Sequence, residues 1–398
     1  MSSYKYSVYN SARQGRRGGS GGGSRGGNKR RGEYIDPARF VRKATSQEAS
    51  EYVAKNRFED FAVEQLLKDN LAAKGYVVPS PIQDQAIQPG LEGKDVIGIA
   101  NTGTGKTAAF ALPMLHALMT QRDARALIIA PTRELAQQIE DECRSIAKGS
   151  GLTGALLIGG TSMGPQLRDL RANPRIVIGT PGRIKDHMER GTLRLGEFNF
   201  VVLDEVDRML DMGFIIDVKF ILDALSPVRQ SFFFSATMEG KVQSLIETFS
   251  HDPVTIILKT SEGSENVNQD VVRYLSPHDK MEKLQDILLK QEVTKAIIFD
   301  ETQRSVERLS KELMARGFSA DAIHGGKTQG QRQRALDSFK ANRTTILVAT
   351  DVAARGIDVA DISHVINYSQ PQSYQDYVHR IGRAGRAGRI GHALTFVN

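Results

Sequence analysis

The stretch Asp95-Val-Ile-Gly-Ile-Ala-Asn-Thr-Gly-Thr-Gly-Lys-Thr107 carries the clearest structural signal in the chain. Its first five residues predict a buried strand, and the apolar residues that follow the stretch predict a helix. Between them, Gly103 and Gly105 allow backbone N–H groups to curl around phosphate oxygens at the helix start, where the helix dipole also favours anions. A plain glycine-rich turn is the alternative, but the strand before the loop and the helix after it favour nucleotide binding.

Within this phosphate loop the side chains have separate expected roles. Lys106 would reach the β- and γ-phosphates of a nucleotide, and the Thr107 hydroxyl would ligate Mg²⁺. Ala100 stands where the general pattern has its first glycine. The loop residues expected to bind the nucleotide are Thr102, Gly103, Thr104, Gly105, Lys106 and Thr107.

Short apolar runs alternate with helical stretches along most of the chain. Runs of four or five apolar residues are typical of strands buried on both faces of a parallel sheet, and helices between them indicate βαβ units. The pattern predicts an α/β fold with two parallel-sheet domains, over residues 57–260 and 267–398, joined by a polar linker over Lys259–Asn268. The predicted strands are Asp95–Ile99, Ala126–Ile129, Ala155–Ile158, Arg175–Ile178, Phe200–Leu203, Gln230–Phe234, Val254–Ile257, Lys295–Phe299, Ala320–Ile323, Thr345–Val348, Ser363–Ile366 and Ala393–Phe396.

The N-terminal residues differ from both domains in composition. Residues 1–32 combine Gly and Ser with eight basic side chains and no Asp or Glu, so the formal charge of +7 for the whole chain leaves −1 for residues 33–398. Such a segment cannot bury enough apolar surface to offset its ordering entropy, which predicts a disordered, basic Gly/Arg/Ser-rich tail. Composition alone leaves a solvated linker and an RNA-binding arm about equally open. Residues 33–56 form a connecting segment to which no function is assigned.

Other features of the composition exclude whole classes of protein. Cys143 is the only cysteine, which rules out a disulfide framework or a cysteine-ligated zinc site and favours a reducing compartment. No uninterrupted apolar run approaches the roughly 18 residues that a membrane span needs. The basic N-terminus has no apolar stretch behind it that would indicate a secretory signal. We therefore expect a cytoplasmic protein without a membrane partner.

A cluster of carboxylates follows the predicted strand Phe200–Leu203. Alone, Asp204, Glu205 and Asp207 would be typical of a solvated helix start. Behind a buried parallel strand they would instead lie at the carboxyl edge of the sheet, beside the phosphate loop, where ligands bind. Asp204 would then hold Mg²⁺, and Glu205 would orient or deprotonate the attacking water.

Arginines are dense near the C-terminus, in His379-Arg-Ile-Gly-Arg-Ala-Gly-Arg-Ala-Gly-Arg389. Such a run usually indicates a solvated face or a nucleic-acid patch. In the second domain it can also supply arginine fingers that complete a nucleotide site when the domains close, because a guanidinium fork matches spreading phosphate charge better than Lys does.

Together these motifs resemble the DEAD-box family of ATP-dependent RNA helicases, in the family's order and over about Phe58 to Asn398. The resemblance implies two tandem RecA-like domains, RNA-stimulated ATP hydrolysis, and the cofactors ATP and Mg²⁺. Gly75-Tyr-Val-Val-Pro-Ser-Pro-Ile-Gln83 is similar to the Q motif, which implies that Gln83 reads the adenine edge while Phe58 stacks on the ring. The resemblance also implies catalytic arginine fingers and a ribose contact, at Arg383, Arg386 and Asp358.

The remaining family motifs concern RNA and its coupling to ATP. Ser235-Ala-Thr237 resembles motif III, whose hydroxyls bond to the motif II carboxylates, so Ser235, Thr237 and Asp207 are the implied coupling residues. Further motifs imply RNA-backbone contacts without readout of base edges. The residues they implicate are Pro131, Thr132, Arg133, Gly160, Thr180, Pro181, Gly182, Arg183, Arg332 and Thr350.

Three positions depart from the family pattern. Val206 replaces the usual Ala of motif II, and Ala384 replaces a commoner Thr or Gly between the arginine fingers; neither change touches the chemistry. Ser369 stands where the family usually has Asp, which removes a carboxylate near the domain interface and bears on ATP–RNA coupling.

The implied function is an RNA-dependent ATPase that unwinds short duplexes or remodels RNA–protein complexes, as a monomer with ribonucleoprotein partners. A non-catalytic RNA clamp is one alternative, and only Ser369 favours it. A DNA translocase of the same superfamily is the other, and the Q motif and the Asp-Glu-Val-Asp box argue against it.

Overall fold

In the computed structural model, the described part of the protein consists of two β-sheets with helices between their strands. All pairings between the strands of each sheet are parallel, which confirms the predicted α/β fold class. The structure describes residues 35–44, 52–101, 103–258, 266–354, 359, 361–385 and 389–398. The prediction of a disordered tail over residues 1–32 lies outside these residues.

The first sheet has seven strands in the order β3-β4-β2-β5-β6-β1-β7. They are β1 (Val96–Ile99), β2 (Ala126–Ile129), β3 (Gly154–Leu157), β4 (Ile176–Gly179), β5 (Phe200–Leu203), β6 (Gln230–Ser235) and β7 (Val254–Ile257). The helices of this domain are α1 (Gln65–Ala73), α2 (Pro81–Leu91), α3 (Lys106–Thr120), α4 (Arg133–Ile146), α5 (Met163–Arg171), α6 (Pro181–Glu189), α7 (Val206–Asp211), α8 (Ile215–Asp223) and α9 (Lys241–Phe249).

The second sheet has six strands in the order β10-β11-β9-β12-β13-β8. They are β8 (Val267–Arg273), β9 (Ala296–Phe299), β10 (Ala320–Ile323), β11 (Ile346–Ala349), β12 (His364–Asn367) and β13 (Gly391–Val397). Its helices are α10 (Pro277–Leu288), α11 (Gln303–Ala315), α12 (Gln329–Lys340), α13 (Asp351–Ala354) and α14 (Tyr374–Ile381). Short 3₁₀ helices at Pro37–Phe40 and Phe58–Asp60 precede both sheets.

Every predicted strand forms, with ends that differ by at most two residues from the prediction. The structure also has one strand that was not predicted, β8, which begins at Val267, inside the stretch expected to be linker. β8 is an edge strand whose first residues alternate, with Val267 and Gln269 buried and Asp270 exposed. Because this strand is polar on its outer face, it lacks the continuous apolar run that identified the central strands.

Because the strands of each sheet are parallel, their carboxyl ends meet at one edge. At that edge of the first sheet, the phosphate loop follows β1 and the carboxylate cluster follows β5, with β6 between the two strands. This is the edge at which open parallel sheets bind ligands.

The burial of His364 in the second sheet predicts that the stability of the protein decreases at low pH. His364 and His392 lie opposite each other on neighbouring strands, with ring centroids 4.8 Å apart. Burial, and then the neighbouring His392 ring, lower the pKa of His364 from 6.5 to about 4. Between these two values the unfolded chain binds a proton at His364 that the folded chain does not, so stability falls as the pH drops through this window. The full loss is about 3 kcal/mol.

We therefore expect the free energy of unfolding of His364→Gln to depend less on pH between 6.5 and 4 than that of the wild type. Denaturant unfolding of the full chain at several pH values measures this difference. His278→Gln, at an exposed position, is the control and should retain the wild-type slope. A slope in His364→Gln equal to that of the wild type would contradict the assignment.

Candidate nucleotide and RNA sites

A cavity of about 420 Å³, open to solvent, lies at the carboxyl edge of the first sheet. It brings residues of the phosphate loop and of the carboxylate cluster, which are about 100 positions apart in sequence, to one surface. Its lining includes Gly103, Gly105, Lys106, Thr107, Asp204 and Glu205 from the predicted set, together with Lys74, Tyr76, Gln138, Glu142 and Lys340.

Lys106 is buried at the floor of this cavity. Its ammonium donates a hydrogen bond to the carbonyl oxygen of Ala100 at 3.1 Å and lies 3.8 Å from Oδ1 of Asp204. Burial raises the pKa of Asp204 to about 6, and the Lys106 charge opposes that rise. The two side chains thus share a pocket in which an arriving phosphate would compete with the carboxylate for the lysine.

Glu205 has an unusual backbone conformation. Its φ of 55° and ψ of 54° are in the left-handed region, which a residue with a side chain seldom adopts. Such a conformation costs about 1–3 kcal/mol and is concentrated at functional sites. The carboxylate lies 3.4 Å from Nε of Arg208, and both side chains are almost fully buried. The turn after β5 therefore holds Glu205 in a defined position beside Asp204.

The Q-motif side chain Gln83 is hydrogen-bonded to the phosphate loop. Its Oε1 accepts from the Ser80 N–H at 2.8 Å, and its Nε2 donates to the carbonyl oxygen of Gly105 at 3.0 Å. Gly105 has a φ of 88°, and a Cβ there would lie 2.5 Å from Gln83 Nε2, so this close approach requires glycine. The adenine-reading role of Gln83 stays a prediction, since both ends of its amide are already engaged here.

The aromatic ring of Phe58 is placed differently from what its predicted role suggests. Phe58 is 4% exposed and packs edge-on against Tyr76, with ring centroids 5.6 Å apart. Tyr76, rather than Phe58, lines the cavity. Stacking of Phe58 on adenine stays a prediction. Tyr76 is an aromatic side chain that already faces the cavity.

Motifs II and III are joined by a backbone contact. The Ala236 N–H donates to Oδ2 of Asp207 at 3.1 Å, while the Ser235 hydroxyl accepts from the Thr237 N–H at 3.4 Å. Among the described residues, no hydrogen bond joins the hydroxyl of Ser235 or Thr237 to the carboxylates. Because β5 and β6 are neighbours, the turn after β6 lies close to Asp207, and the contact is made by the Ala236 N–H rather than by the expected hydroxyls.

In the second domain, Arg383 is buried in a small cleft that first-domain Arg208 also lines. The neighbouring Arg380 makes a two-pronged ion pair with Asp351, at 2.5 and 2.7 Å, and donates to the carbonyl oxygen of Ser369 at 2.7 Å. The Ser369 hydroxyl is buried and has no hydrogen-bond partner among the described residues. The predicted residues Thr102, Asp358 and Arg386 lie outside the described part of the chain.

The residues expected to contact RNA lie on the other half of the same sheet edge. Those of the first domain follow β2, β3 and β4, which are neighbours on one side of the sheet, whereas the nucleotide residues follow β1 and β5. Thr132 caps α4 by accepting from the Leu135 N–H at 3.2 Å. A side chain at Gly160 would overlap the Arg133 guanidinium. The complete predicted set in this domain is Pro131, Thr132, Arg133, Gly160, Thr180, Pro181, Gly182 and Arg183.

Two ion-pair and hydrogen-bond contacts join this RNA half to the second domain. Nη2 of Arg332 lies 2.8 Å from Oε2 of Glu134, and Gln329 Nε2 donates to Oε1 of the same carboxylate at 3.3 Å. Glu134 is only 2% exposed, so the second domain covers it. Thr350, the other RNA residue predicted in that domain, is buried after β11.

The sequence interpretation missed several residues of these sites. Tyr76 lies inside the Q-motif stretch, Glu134 directly follows Arg133, and Arg208 directly follows Asp207, so the sequence places all three beside predicted site residues. Lys340 is at the end of α12 and reaches the nucleotide cavity from the second domain. Nothing in its sequence context indicated that position.

Within the described residues, no three His, Cys, Asp or Glu side chains are arranged to hold a metal ion by themselves. Over the same part of the chain, no helix combines the length and the apolar composition that crossing a bilayer requires.

Comparisons with known proteins agree with this geometry. Residues 80–245 match the family model described as DEAD/DEAH box helicase, and residues 279–388 match the model described as helicase conserved C-terminal domain. CshA, an ATP-dependent RNA helicase of Listeria monocytogenes, is 44% identical over 342 residues, which are 86% of this chain and 66% of that relative. The chain therefore spans just under two thirds of this curated relative.

Solved structures are similar over both domains. A structure of S. cerevisiae Dbp5 bound to RNA and ADP-BeF₃ is 30% identical with a TM-score of 0.75, covering 86% of this chain and 89% of that chain. A DEAD-box protein from Methanococcus jannaschii is 38% identical with a TM-score of 0.51, covering 86% and 93%. Because these matches extend over both domains, which carry the phosphate loop and the carboxylate cluster, the chain belongs to the DEAD-box family of ATP-dependent RNA helicases.

Proposed function

We propose that the chain hydrolyses ATP in response to RNA, and that it opens short RNA duplexes or remodels RNA–protein complexes. The observation that carries the proposal is that the expected nucleotide residues and the expected RNA residues occupy different halves of the carboxyl edge of the first sheet. Phosphate-loop and carboxylate residues follow β1 and β5, and the expected RNA residues follow the adjacent strands β2, β3 and β4. The similarity to Dbp5, solved with RNA and a nucleotide analogue, supports this assignment of the two halves.

ATP would bind in the cavity beside the phosphate loop. Phosphoryl transfer needs positioning and charge stabilisation from the protein rather than covalent chemistry. Lys106 would exchange Asp204 for the β- and γ-phosphates, Glu205 would orient or deprotonate the attacking water, and Arg383 and Arg386 would stabilise the charge that develops.

Mg²⁺ fits the donor set of this cavity. Mg²⁺ usually takes one or two carboxylates from the protein and fills its other positions with water and substrate phosphates, so a cage of three protein ligands is not needed. Thr107 and Asp204 would hold the ion, which when bound supplies positive charge against the phosphates.

RNA would lie across both domains, along the half of the first sheet's carboxyl edge that follows β2, β3 and β4. Glu134 of the first domain already contacts Arg332 and Gln329 of the second, so this half is continuous across the domain boundary. The contact between Asp207 and Ala236 would connect it to the nucleotide half. Backbone contacts of this kind carry no base sequence, so we infer binding without sequence preference.

Glu205→Gln separates catalysis from binding. The variant retains Asp204 and Lys106, so ATP and RNA should still bind while hydrolysis fails, and a long-lived ATP–RNA complex should accumulate. The measurements are RNA-stimulated ATP turnover and RNA retention in the presence of ATP. Glu197→Gln, whose side chain is 76% exposed, is the matched control and should resemble the wild type. If Glu205→Gln no longer bound ATP, the role given to Glu205 would be wrong.

The basic tail is proposed to add non-specific RNA affinity. Each phosphate neutralised on a single strand contributes about −0.7 to the slope of log affinity against log salt concentration, so eight tail charges contribute up to roughly 5 to 6 units. Not every tail charge need contact a phosphate at the same time, so deletion of residues 1–32 is expected to flatten the slope by about half of that amount, without changing the basal ATPase rate. Binding curves at several salt concentrations measure it. Equal slopes would leave the tail as a solvated linker.

We further infer that the protein acts as a monomer in the cytoplasm, together with ribonucleoprotein partners. The buried single thiol of Cys143 suits a reducing compartment, and burial raises its pKa well above the ordinary value, so it is not a reactive thiolate.

A further inference from the structure

Residues 35–44 pack against the second domain, although they precede the first domain in sequence. Phe40 is fully buried, and its ring lies 4.6 Å from that of Tyr377 on α14. Ile35 is buried in the same cluster, and the Arg39 guanidinium lies 3.9 Å from the centroid of the Tyr374 ring. Because a whole phenylalanine side chain is buried, residues 35–44 are stably docked on the second domain; this contact is called the first dock.

The same segment covers the edge of the second sheet. The Arg42 N–H donates to the carbonyl oxygen of Gln269 at 3.0 Å, and the Gln269 N–H donates back to Arg42 at 2.7 Å. The Ala44 N–H also donates to Oδ1 of Asn268 at 2.9 Å. Because β8 is an edge strand, these bonds satisfy backbone groups that would otherwise be open to pairing with another chain.

Eight residues farther along, the chain is fastened to the first domain at Asp84. This carboxylate is 4% exposed and accepts from the Tyr52 hydroxyl at 2.6 Å, the Lys55 N–H at 2.8 Å, and the Asn56 N–H and Nδ2 at 3.1 and 2.7 Å. Burial acts to raise the pKa of Asp84, but these hydrogen bonds, led by Tyr52, hold it below its ordinary value. Asp84 directly follows Gln83, so this dock lies beside the phosphate loop.

The two docks are separated by a short length of chain. From Ala44 to Tyr52 an extended chain reaches at most about 28 Å. The linker between the domains has a similar reach: it leaves after Leu258, whose N–H donates to the carbonyl oxygen of Ile99 at 3.0 Å, and it ends at β8. Both connections therefore have one anchor at the start of β8 and the other on the phosphate-loop side of the first domain.

We propose that residues 35–44 and 52–56, here called the strap, are the two anchors of a second tether between the domains, in addition to the linker. Two covalent connections with separate anchors restrict both the separation and the twist of the domains more than one connection does. The strap thereby narrows the range of open arrangements from which the nucleotide cleft must close.

Spin labels on the two domains test the proposal in the full chain without ATP or RNA. Val228→Cys and Leu289→Cys, at exposed positions of the two domains, carry the labels in a Cys143→Ala background. Phe40→Asp removes a buried ring, and such losses reduce a docking equilibrium by a factor of about 100 or more. We expect a broader interdomain distance distribution in this variant. Val41→Asp, at a neighbouring position that is 54% exposed, is the matched control and should retain the wild-type distribution.

A second variant separates tethering from stability of the second domain. A Gly/Ser insertion of about ten residues between positions 47 and 48 adds roughly 30 Å of reach and leaves both docks intact. It should broaden the distance distribution with an unchanged melting temperature. An unchanged distribution in the insertion variant overturns the proposal, whether or not Phe40→Asp unfolds the second domain. Since no ligand is present, the result is independent of the proposed ATPase activity.

Discussion

Lys106→Ala is expected to abolish ATP hydrolysis. Lys106 is the buried lysine of the phosphate loop, whereas Lys74, which also lines the cavity, is paired with Glu142, and Lys340 is exposed. Neither of these two is therefore expected to replace Lys106 at the β- and γ-phosphates. The substitution also removes the positive charge 3.8 Å from Asp204, which leaves a buried carboxylate facing the position that the phosphates would take. Steady-state ATP turnover of the full chain, with and without RNA, measures the effect.

Lys94→Ala is the matched control for this prediction. Lys94 is a half-exposed lysine of the same domain, close in sequence to β1, and it pairs with Glu92 on the surface. Its removal should leave turnover unchanged because exposed ion pairs contribute little. Wild-type turnover in Lys106→Ala would refute the phosphate-loop assignment.

Arg383→Ala should lower ATP turnover strongly while leaving nucleotide binding to the phosphate loop in place. Arginine fingers in phosphoryl transfer are worth about 10³–10⁵ in rate in well-studied cases. Arg383 is buried in the cleft that Arg208 of the first domain also lines, so it faces the side on which Glu205 lies. Arg386→Ala is expected to act in the same direction. Turnover and nucleotide affinity, measured on the full chain, separate catalysis from binding.

Arg389→Ala controls for the loss of one arginine from the same run. Its side chain is 71% exposed and pairs with Asp361 on the surface, so its removal should change turnover little. A loss below about threefold in Arg383→Ala, equivalent to well under 1 kcal/mol in barrier height, would indicate that this arginine contacts RNA rather than the γ-phosphate.

The local pattern of the sequence was sufficient for the fold class and for the strands. Central strands such as β1 and β5 are apolar throughout because both of their faces are buried, and this signal is visible in four consecutive residues. The phosphate loop and the carboxylate cluster could be found for the same reason, since each directly follows such a strand. The edge strand β8 was missed because burial on one face leaves a weaker, alternating pattern.

Contacts between distant residues depended on the order of strands and on how the domains meet. Asp207 accepts a hydrogen bond from the Ala236 N–H because it follows β5, which is the neighbour of β6 in the sheet. This backbone contact stands where a hydroxyl contact was expected. Nothing near Glu134 in sequence indicates its partner Arg332, which belongs to the other domain. The periodicity of a sequence indicates which face of a helix or strand is buried, but it does not indicate which other element covers that face.

The strap shows this limit most clearly. No function was assigned to residues 35–44 from their sequence, and they precede the first domain, yet Phe40 is buried against Tyr377 near the other end of the chain. Composition and periodicity established two parallel-sheet domains with a nucleotide loop, because burial leaves a local pattern in the residues themselves. Only the tertiary structure decided which segment covers the edge of the second sheet, because that depends on surfaces that exist only once both sheets have formed.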